Sequence, residues 1–562
     1  MTANLLSQAE QQLKEILKNA LQKAMEDEKL PQAEIPDIHV EIPADTSHGD
    51  FATNLAMVSA RAFHQAPRKI AEAIESSLAL DGSYFEKCEI AGPGFMNFFV
   101  SQSWFSDTVK AVAEQKENYG RSQEGEGKRV LVEFVSANPT GPMHIGNARG
   151  GAIGDCLSSA LEWAGYDVTR EFYVNDAGNQ VNKFGMSLEL RYLELYQDGI
   201  EMPEDSYHGA DIIEHAKNFA AIHGDSYVNR SSEERRQALV EYALPLNIEG
   251  LERDLLKYRI RYDNWFREST LHENGAARQV VDMLTEKGYT YEKDGAVWFK
   301  GSEFGSEDFV LVRSNGFLTY VVPDIAYHYN KLVTRGFDKA INVLGADHHG
   351  YVPRLKGALQ ALGIDPARLD VVLMQMVRLV RDGEVIKASK RSGKAITLAT
   401  LLEEVPIDAA RFFFNLRETN STLDFDLDLA VETSSENPVY YVQYAHARIC
   451  SILKKMADQG VSLKDASLCD FSLLQDPAER ELIRHIALLP SEIAGAAKTY
   501  DPARITKYII TLATLFHKFY NACRVQVEDE ALRDARLMLC EAVKTVLENV
   551  LRLLKIEAPE SM

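Results

Sequence analysis

The chain has no long apolar segment and few cysteines. No apolar run approaches the ~18 residues of a membrane helix, and the N-terminal MTANLLSQAEQQLKEILKNA reads as a charged amphipathic helix rather than a signal peptide. The six cysteines are scattered, with no C-x-x-C pair. That usage suits a reducing compartment and argues against a zinc ribbon or a disulfide framework. We therefore expect a cytoplasmic protein with no membrane contact.

An excess of basic residues is also absent. The chain has 61 Lys and Arg against 83 Asp and Glu, a formal net charge of -22. Taken alone, this weighs against a nucleic-acid binder, because such proteins usually carry a basic footprint. A large acidic protein can still carry a local basic face, so the net charge argues against a nucleic-acid binder but does not exclude one.

The length of 562 residues exceeds what one hydrophobic core supports, so several domains are expected. The periodicity predicts an α+β domain over 1–115 and an α/β domain with a Rossmann-like parallel sheet over 116–405. A helical insertion is predicted at about 180–290, and an all-α bundle over 406–562. The predicted fold class is thus multidomain α/β.

Within the first domain, helical patterns cover 5–25 and 52–80, and a strand is predicted in HVEIPAD. CEIAGPGFMNFFV reads as strand, turn, strand, and Asn97 and Phe98 after the turn look exposed. In the second domain, DVTREFYVND predicts the strand that completes a βαβ unit. Further strands are predicted in AVWFK, DFVLVRS, GFLTYVVPDIAYHYNKLV, AINVLGADHH and LDVVLMQMV.

The most informative stretch is 129–164, RVLVEFVSANPTGPMHIGNARGGAIGDCLSSALEWA. A short apolar strand leads into a turn rich in breakers, and a helix begins near His144. Strand, tight turn and helix N-terminus together form a common anion site, because free backbone N–H groups and the helix dipole face the ligand. The stretch lacks both G-x-G-x-x-G and G-x-x-x-x-G-K-[ST]. A histidine and a glycine stand at the helix start instead.

Three later pieces carry polar chemistry, and each has an ordinary structural interpretation. FLTYVVPDIAYH places Tyr320 and Asp324 in an apolar stretch. GADHHG follows a predicted strand, where adjacent histidines point to opposite faces and seldom share a metal, so a sheet-edge ligand site is the better interpretation. KASKRSGK, from Lys387 to Lys394, is either a solvated loop or a cationic loop that neutralises a polyphosphate.

Taken together, these pieces resemble the class I aminoacyl-tRNA synthetases. His144-Ile145-Gly146-Asn147 is similar to the "HIGH" signature, and Lys387-Ala388-Ser389-Lys390-Arg391 to the "KMSKS" signature. Within the class, VEFVSANPTGPMHIGN, FLTYVVPDIAYH, VLGADHHGYVPRLKGAL, DFDLDLA and NPVYYVQYAHARI resemble the bacterial arginyl-tRNA synthetase family over the whole chain. One departure is Asn147, which replaces the second histidine and cannot carry its charge; the other is Ala388.

The resemblance implies an ATP-dependent, AMP- and pyrophosphate-forming arginine–tRNA ligase. L-arginine and ATP would form arginyl-adenylate, and arginine would then pass to the 3′-terminal adenosine of tRNA(Arg). The implied catalytic residues are His144, Lys387 and Lys390. Mg²⁺ is expected with ATP and no protein-bound metal is expected. The implied ATP-binding residues are Ala137, Asn138, Pro139, Thr140, Gly141, Pro142, Met143, His144, Ile145, Gly146, Asn147, Lys387, Ser389 and Lys390.

The side chain of the amino acid gives a separate argument. A guanidinium favours carboxylates in its plane. Glu133 lies in an otherwise apolar strand, where an unpaired carboxylate would be costly. Asp324 lies in a similar stretch, so two acids facing one cavity would suit a cationic ligand. The implied arginine-binding residues are Glu133, Asn138, His144, Tyr320, Asp324 and His348.

The family resemblance also implies tRNA contacts at both ends of the chain. The N-terminal domain would bind the corner of the tRNA, with Asn97 and Phe98 as candidates, and the C-terminal bundle would bind the anticodon. Aromatic side chains stack on unpaired bases, which makes Tyr440, Tyr444 and Arg448 candidates there. Core aromatics at helical spacing are the alternative for each of them. A monomer is expected.

Three alternatives remain at this stage. A cysteine-specific synthetase of the same subgroup would need zinc ligands, which the cysteines here do not supply. A nucleotidylyltransferase shares a histidine–glycine signature but needs no long helical C-terminal half. A catalytically silent RNA-binding relative would not need His144, Lys387 and Lys390.

Overall fold

The computed structural model describes residues 4–43, 45–387 and 396–562. Within these residues, four β-sheets and a set of long helices form the chain. The largest hydrophobic core runs continuously from the first helix, through the parallel sheet, to the last helix. Among the helices described, none is long and apolar enough to cross a membrane.

The N-terminal part is an α+β unit built on a small antiparallel sheet of strand order β1-β3-β2. Its first helix buries leucines at four-residue spacing, Leu13, Leu17 and Leu21, in the main hydrophobic core. The predicted hairpin is confirmed, since β2 and β3 pair antiparallel. The elements are α1 (Leu5–Glu26), β1 (Phe51–Thr53), α2 (Leu55–Val58), α3 (Ala60–Phe63), α4 (Pro67–Glu75), β2 (Phe85–Ala91), β3 (Phe95–Val100) and α5 (Gln102–Gln115).

Two N-terminal predictions are wrong. Asn97 and Phe98 are buried, because β3 is the central strand and Phe98 packs edge-on against Phe85 with ring centroids 6.0 Å apart. The exposed aromatic of this hairpin is Phe95, at its turn. The strand predicted in HVEIPAD does not form, since that segment contributes only a single bridge, between Glu41 and Ala52. The helical pattern over 52–80 forms three short helices after β1.

The central part is a five-stranded parallel sheet of order β11-β10-β4-β5-β6, so the predicted βαβ unit is confirmed. Helix α6 follows β4 so closely that a Cβ on Gly154 would lie 2.2 Å from the Phe134 ring. The elements are β4 (Arg129–Glu133), α6 (Ile145–Trp163), β5 (Asp167–Val174), α7 (Gly178–Leu193), α8 (Ala210–His223), α9 (Ser232–Lys257), β6 (Asn264–Arg267), α10 (Ser269–Glu273), α11 (Ala276–Glu286), β7 (Thr290–Lys293), β8 (Ala296–Phe299), β9 (Phe309–Val312), α12 (Val321–Tyr329), β10 (Lys339–Gly345), α13 (Val352–Ala361), β11 (Leu369–Met374), β12 (Val377–Arg381), β13 (Glu384–Ile386) and α14 (Leu398–Glu404).

The helical insertion is shorter than predicted. Helices α7, α8 and α9 form it and share their own hydrophobic cluster. The chain returns to the parallel sheet at β6, which pairs with β5, so 264–267 are not part of a helical segment. Beyond it, β7, β8 and β9 do form, but as a separate antiparallel sheet rather than as further strands of the parallel one.

The prediction of a strand over GFLTYVVPDIAYHYNKLV is wrong. The segment forms α12 and continues as a π-helix over Asn330–Thr334. Almost all of α12 is buried. A helix that is apolar on all sides lacks the 3.6-residue pattern by which amphipathic helices are recognised, and a short apolar run is then indistinguishable from a buried strand.

The C-terminal part is predominantly helical, as predicted, with one exception. Strand β14 lies beyond residue 405 and pairs in parallel with β12, so a small third sheet joins the bundle to the catalytic part. The elements are α15 (Ile407–Phe414), β14 (Leu423–Asp426), α16 (Leu427–Val431), α17 (Pro438–Asp458), α18 (Pro477–Ala487), α19 (Leu489–Thr499), α20 (Ala503–Ala522) and α21 (Glu530–Leu554).

Candidate active site

A large cavity of about 1290 Å³ opens at the carboxyl ends of β4 and β10. The loop over residues 137–143, here called the signature loop, forms one wall together with the start of α6. This is where ligands bind in open parallel sheets. The predicted ATP-binding residues that line the cavity are Ala137, Asn138, Thr140, Gly141, Pro142, His144, Gly146 and Asn147.

The backbone between β4 and the signature loop is strained. Val135 and Ser136 have φ values of +68° and +41°, which are unfavourable for side-chain-bearing residues and most of all for a β-branched one. The Ser136 hydroxyl donates to Glu133 Oε1 at 3.0 Å and accepts from the backbone N–H of Tyr173 at 3.1 Å. These bonds hold the turn in place. Strain of this kind is concentrated at functional sites.

Helix α6 begins as predicted, with His144 as its N-cap residue. The backbone N–H of His144 donates to Asn147 Oδ1 at 3.1 Å, so Asn147 caps the helix start, a role that suits an amide. On the other side, His144 forms a β-bridge with Thr397, and the Leu398 N–H donates to the Met143 carbonyl at 2.9 Å. The imidazole of His144 is exposed to the cavity.

The sequence indicated that the charge of Glu133 needs a partner, and in the structure that partner is another side chain of the protein. Its Oε2 accepts from Lys331 Nζ at 2.6 Å, and the Lys331 side chain is fully buried. Lys331 also donates to Asn342 Oδ1 at 3.2 Å and lies over the Tyr327 ring at 3.9 Å. Glu133 still lines the cavity, but its charge is balanced inside the protein.

Asp324 presents a different carboxylate to the same cavity. It lies in the first turn of α12, and its Oδ2 accepts from the Tyr351 hydroxyl at 2.5 Å. Burial raises the pKa of Asp324 to about 7; Tyr351 and Lys331 oppose the rise, and Glu133 and Glu268 add to it. The ionised form of Asp324 is therefore poorly stabilised by its surroundings, chiefly because burial removes the carboxylate from water.

Glu268 is a third carboxylate near this place, and sequence reasoning missed it. It follows β6, and its Oε2 accepts from the Tyr173 hydroxyl at 2.8 Å. Burial is the main cause of its raised pKa. Its segment, NWFREST, has no motif that singles it out; only the pairing of β6 with β5 brings it to the site.

The remaining candidates in this region occupy different positions. His348 lines the cavity just beyond β10, at the sheet edge as predicted. Tyr320 is 71% exposed and lies beside Tyr351, with ring centroids 6.2 Å apart, outside the cavity lining. Lys387 is exposed directly after β13. Ser389 and Lys390 lie outside the described residues. Pro139, Met143 and Ile145 belong to the loop and helix start but do not line the cavity.

The helical insertion forms the opposite wall, which the sequence did not indicate. The segment from Tyr207 to Ile213, at the start of α8, lines the cavity. There the Oδ2 atom of Asp211 is buried without a hydrogen-bond partner. Among the described residues, no group of three or more His, Cys, Asp or Glu side chains could hold a metal ion.

A second cleft, of about 460 Å³, lies in the C-terminal bundle. It brings together the three residues predicted there, since Tyr440 and Tyr444 stack at 6.5 Å on α17 and the Arg448 guanidinium lies 5.7 Å from the Tyr444 ring. His517, on α20, completes the aromatic wall, and the pKa of its imidazole is lowered mainly by burial.

A parallel sheet whose first crossover helix starts with His-Ile-Gly-Asn, together with a cation-rich segment that follows β13 in the sequence, defines the catalytic domain of a class I aminoacyl-tRNA synthetase. The family model "tRNA synthetases class I (R), catalytic domain" matches residues 108–451. "Arginyl tRNA synthetase N terminal domain" matches 11–100, and "DALR anticodon binding domain" matches 442–562. The chain belongs to the arginyl-tRNA synthetase family, and within it to the bacterial type.

Relatives agree with this placement. The chain is 56% identical to the arginine–tRNA ligase of Caldanaerobacter subterraneus and 52% identical to that of Acetivibrio thermocellus, with 100% of each chain covered in both comparisons. The solved structure of Thermus thermophilus arginyl-tRNA synthetase has the same fold. It matches with a TM-score of 0.74 at 22% identity, covering 98% of this chain and 100% of that one.

Proposed function

We propose that this chain activates L-arginine with ATP, releasing pyrophosphate, and transfers arginine from arginyl-adenylate to the 3′-terminal adenosine of tRNA(Arg). The observation that carries the proposal is one cavity with two chemically distinct ends. The signature loop and the start of α6 offer an anion site, and Asp324 lines an acidic end of the cavity, with Glu268 close enough to raise its pKa. An amino acid with a cationic side chain and a nucleotide triphosphate together satisfy both ends.

The guanidinium of arginine would bind at Asp324. A planar, permanently charged group can satisfy a half-buried carboxylate that its own neighbours leave partly uncompensated. Glu268 would add a second negative charge, and Tyr351 would hold Asp324 in position through its hydroxyl. Glu133, whose charge Lys331 already balances, would shape the wall of the pocket instead of carrying the main ionic contact.

The opposite end of arginine would reach Asn138 and His144, which link the amino-acid pocket to the nucleotide. The arginine carboxylate attacks the α-phosphorus of ATP, and its oxygen forms the new bond as pyrophosphate leaves. Catalysis of such a transfer depends mostly on positioning and charge stabilisation. His144 and the N–H groups at the start of α6 would stabilise the α-phosphate, and Lys387 and Lys390 would stabilise the leaving pyrophosphate. His348 and Tyr320 are proposed at the rim of the arginine pocket.

ATP would enter with Mg²⁺ held on its phosphate oxygens and water, an arrangement that needs no cage of protein ligands. The positive charge of the metal would add to that of the lysines in stabilising negative charge on the phosphates. No metal bound by the protein itself is proposed.

We further propose the division into an N-terminal tRNA-binding unit (1–115), a catalytic unit (116–405) and an anticodon-binding bundle (406–562). The cleft with Tyr440, Tyr444 and Arg448 is the proposed place for anticodon bases, because exposed aromatic and guanidinium planes favour stacking. Since Asn97 and Phe98 are buried, the N-terminal contact is reassigned to the exposed turn near Phe95. A cytoplasmic monomer is proposed.

The test is amino-acid-dependent exchange of pyrophosphate into ATP, with and without tRNA. Arginine should support exchange, while lysine, glutamine and cysteine should not. A site built on hydrogen bonds to the substrate can reject poor mimics by roughly 10⁴–10⁵. Exchange with another amino acid, and none with arginine under either condition, would contradict the proposal.

A further inference from the structure

Asn247 ties the helical insertion to the signature loop. Its side-chain amide donates from Nδ2 to the Pro139 carbonyl at 3.0 Å. Its Oδ1 lies 2.8 Å from Nε2 of His215, on α8. An amide oxygen can only accept, so His215 Nε2 must carry the proton and donate. One side chain thus connects α8, α9 and the loop that lines the cavity.

The position of Asn247 along α9 means that this contact lies between two separately packed hydrophobic cores. The first half of α9 packs in the core of the insertion, through Leu239 and Ala243. The second half packs in the main core, through Leu251 and Leu255. The neighbour of Asn247, Ile248, packs against both cores. Asn247 therefore lies where the helix passes from one unit to the other.

On the other side of the bond, Pro139 has no backbone N–H, so its carbonyl is the only backbone group through which it can be anchored. Its neighbours Asn138 and Thr140 both line the cavity, whereas Pro139 does not. Asn247 therefore acts on the outer side of the loop and cannot be replaced by a contact from the ligand. Moving the Pro139 carbonyl would move both flanking residues.

We propose that Asn247, oriented by His215, is a positioning residue that holds the signature loop in its ATP-binding arrangement, so that the helical insertion sets the affinity of the nucleotide site. The inference rests on the proposed ATP site in this cavity. It predicts that the seating of the insertion and the binding of ATP are linked, while the arginine pocket at Asp324, on α12, is not.

The main test is Asn247→Asp, which keeps the shape and the acceptor for His215 but removes the donor to Pro139. The KM for ATP in arginine-dependent exchange should rise about 10-fold, whereas the KM for arginine should rise clearly less, because only its Asn138 contact lies beside Pro139 and its guanidinium is held at Asp324. Calorimetric titration with a non-hydrolysable ATP analogue should show the same loss of affinity, independently of whether arginine is the amino acid activated. Asn218→Asp, the same change at an exposed position on α8, is the matched control.

A second variant separates positioning from loss of folding. His215→Phe should also raise the KM for ATP. The variant that combines His215→Phe with Asn247→Asp should have no higher KM for ATP than Asn247→Asp alone, because both changes act on one contact. His215→Gln, which keeps a donor, should recover part of the affinity. Unchanged ATP affinity in Asn247→Asp, equal rises in both KM values, or additive effects in the double variant would each overturn the proposal. Failure of wild-type exchange with intact analogue binding would instead count against arginine activation.

Discussion

The replacement of Asp324 by asparagine tests the proposed guanidinium pocket most directly. The two side chains have nearly the same shape, so the change removes a charge and leaves the packing intact. Removing one partner from a desolvated ion pair costs roughly 3–5 kcal/mol. Arginine should accordingly bind about 10²- to 10⁴-fold more weakly, while the KM for ATP should change by no more than about 2-fold, since the nucleotide lies at the other end of the cavity.

Without bound arginine, the same substitution should stabilise the protein instead of weakening it. The pKa of Asp324 is raised to about 7 from 3.8, mainly by burial, so the folded state keeps a proton that the unfolded state releases. Below about pH 4 the carboxyl is protonated in both states and does not affect the free energy of unfolding. Between pH 4 and pH 7 its titration lowers the free energy of unfolding, and above pH 7 the full penalty remains. Three pH units correspond to about 4 kcal/mol as an upper figure. Asp324→Asn should therefore raise the melting temperature at pH 8 and leave it nearly unchanged at pH 4.

The same titration gives the binding of arginine a pH dependence. Binding requires the ionised carboxylate, so the affinity of the wild type should fall as the pH drops below 7, by up to about tenfold per unit. The asparagine variant should show no such slope. Calorimetric titration of L-arginine, together with thermal denaturation at both pH values, measures both effects. Unchanged arginine affinity in the variant, or a melting temperature lowered at pH 8, would refute the reasoning.

Three further changes probe other parts of the structure. Lys331→Met leaves the Glu133 charge buried without its cation and should cost about 3–5 kcal/mol of unfolding free energy, much of it recovered when Glu133→Gln is added; a loss below 1 kcal/mol in urea denaturation would contradict the buried pair. Phe98→Ala should destabilise the N-terminal unit by roughly 3–5 kcal/mol, whereas Phe95→Ala at the exposed turn should change little, so equal hydrogen-exchange protection in both would contradict the assigned burial. His144→Ala should lower the rate of arginine activation by about 10²–10³ without a large change in the KM for arginine; near-normal exchange would remove His144 from the reaction.

Asn147 illustrates how a departure from a familiar motif can be explained by local structure. In the sequence it replaces a second histidine, and among the implied ATP-binding residues it is the one that cannot carry that histidine's charge. The structure shows its Oδ1 accepting the N–H of His144 at the first turn of α6. A side-chain oxygen at the third helical position can reach back to the N–H of the N-cap residue, as in a capping box. This contact fixes His144 at the cavity edge.

The sequence by itself determined the family and the order of its parts, because both depend on local pattern. The apolar run of β4, the breakers after it and the periodicity of α6 encode one strand–turn–helix unit, and the spacing of the later motifs encodes the rest. Local pattern does not distinguish a helix from a strand when an element is buried on every side. Helix α12 is apolar on nearly all sides, so the strand prediction for it was wrong, and the alternation in β3 did not show that the strand is central.

Only the tertiary structure decided which charges meet. Glu133 and Lys331 are 198 positions apart, and Asn247 and Pro139 are 108 apart, yet both pairs are in hydrogen-bond contact. An acid in an apolar strand indicates that a partner is required, because an unpaired buried charge is costly, but it does not say whether a substrate or another side chain supplies it. For Glu133 the partner is internal, and for Asp324 the surrounding charge leaves room for a cationic ligand. That difference arises from how the elements pack and is not written in either segment alone.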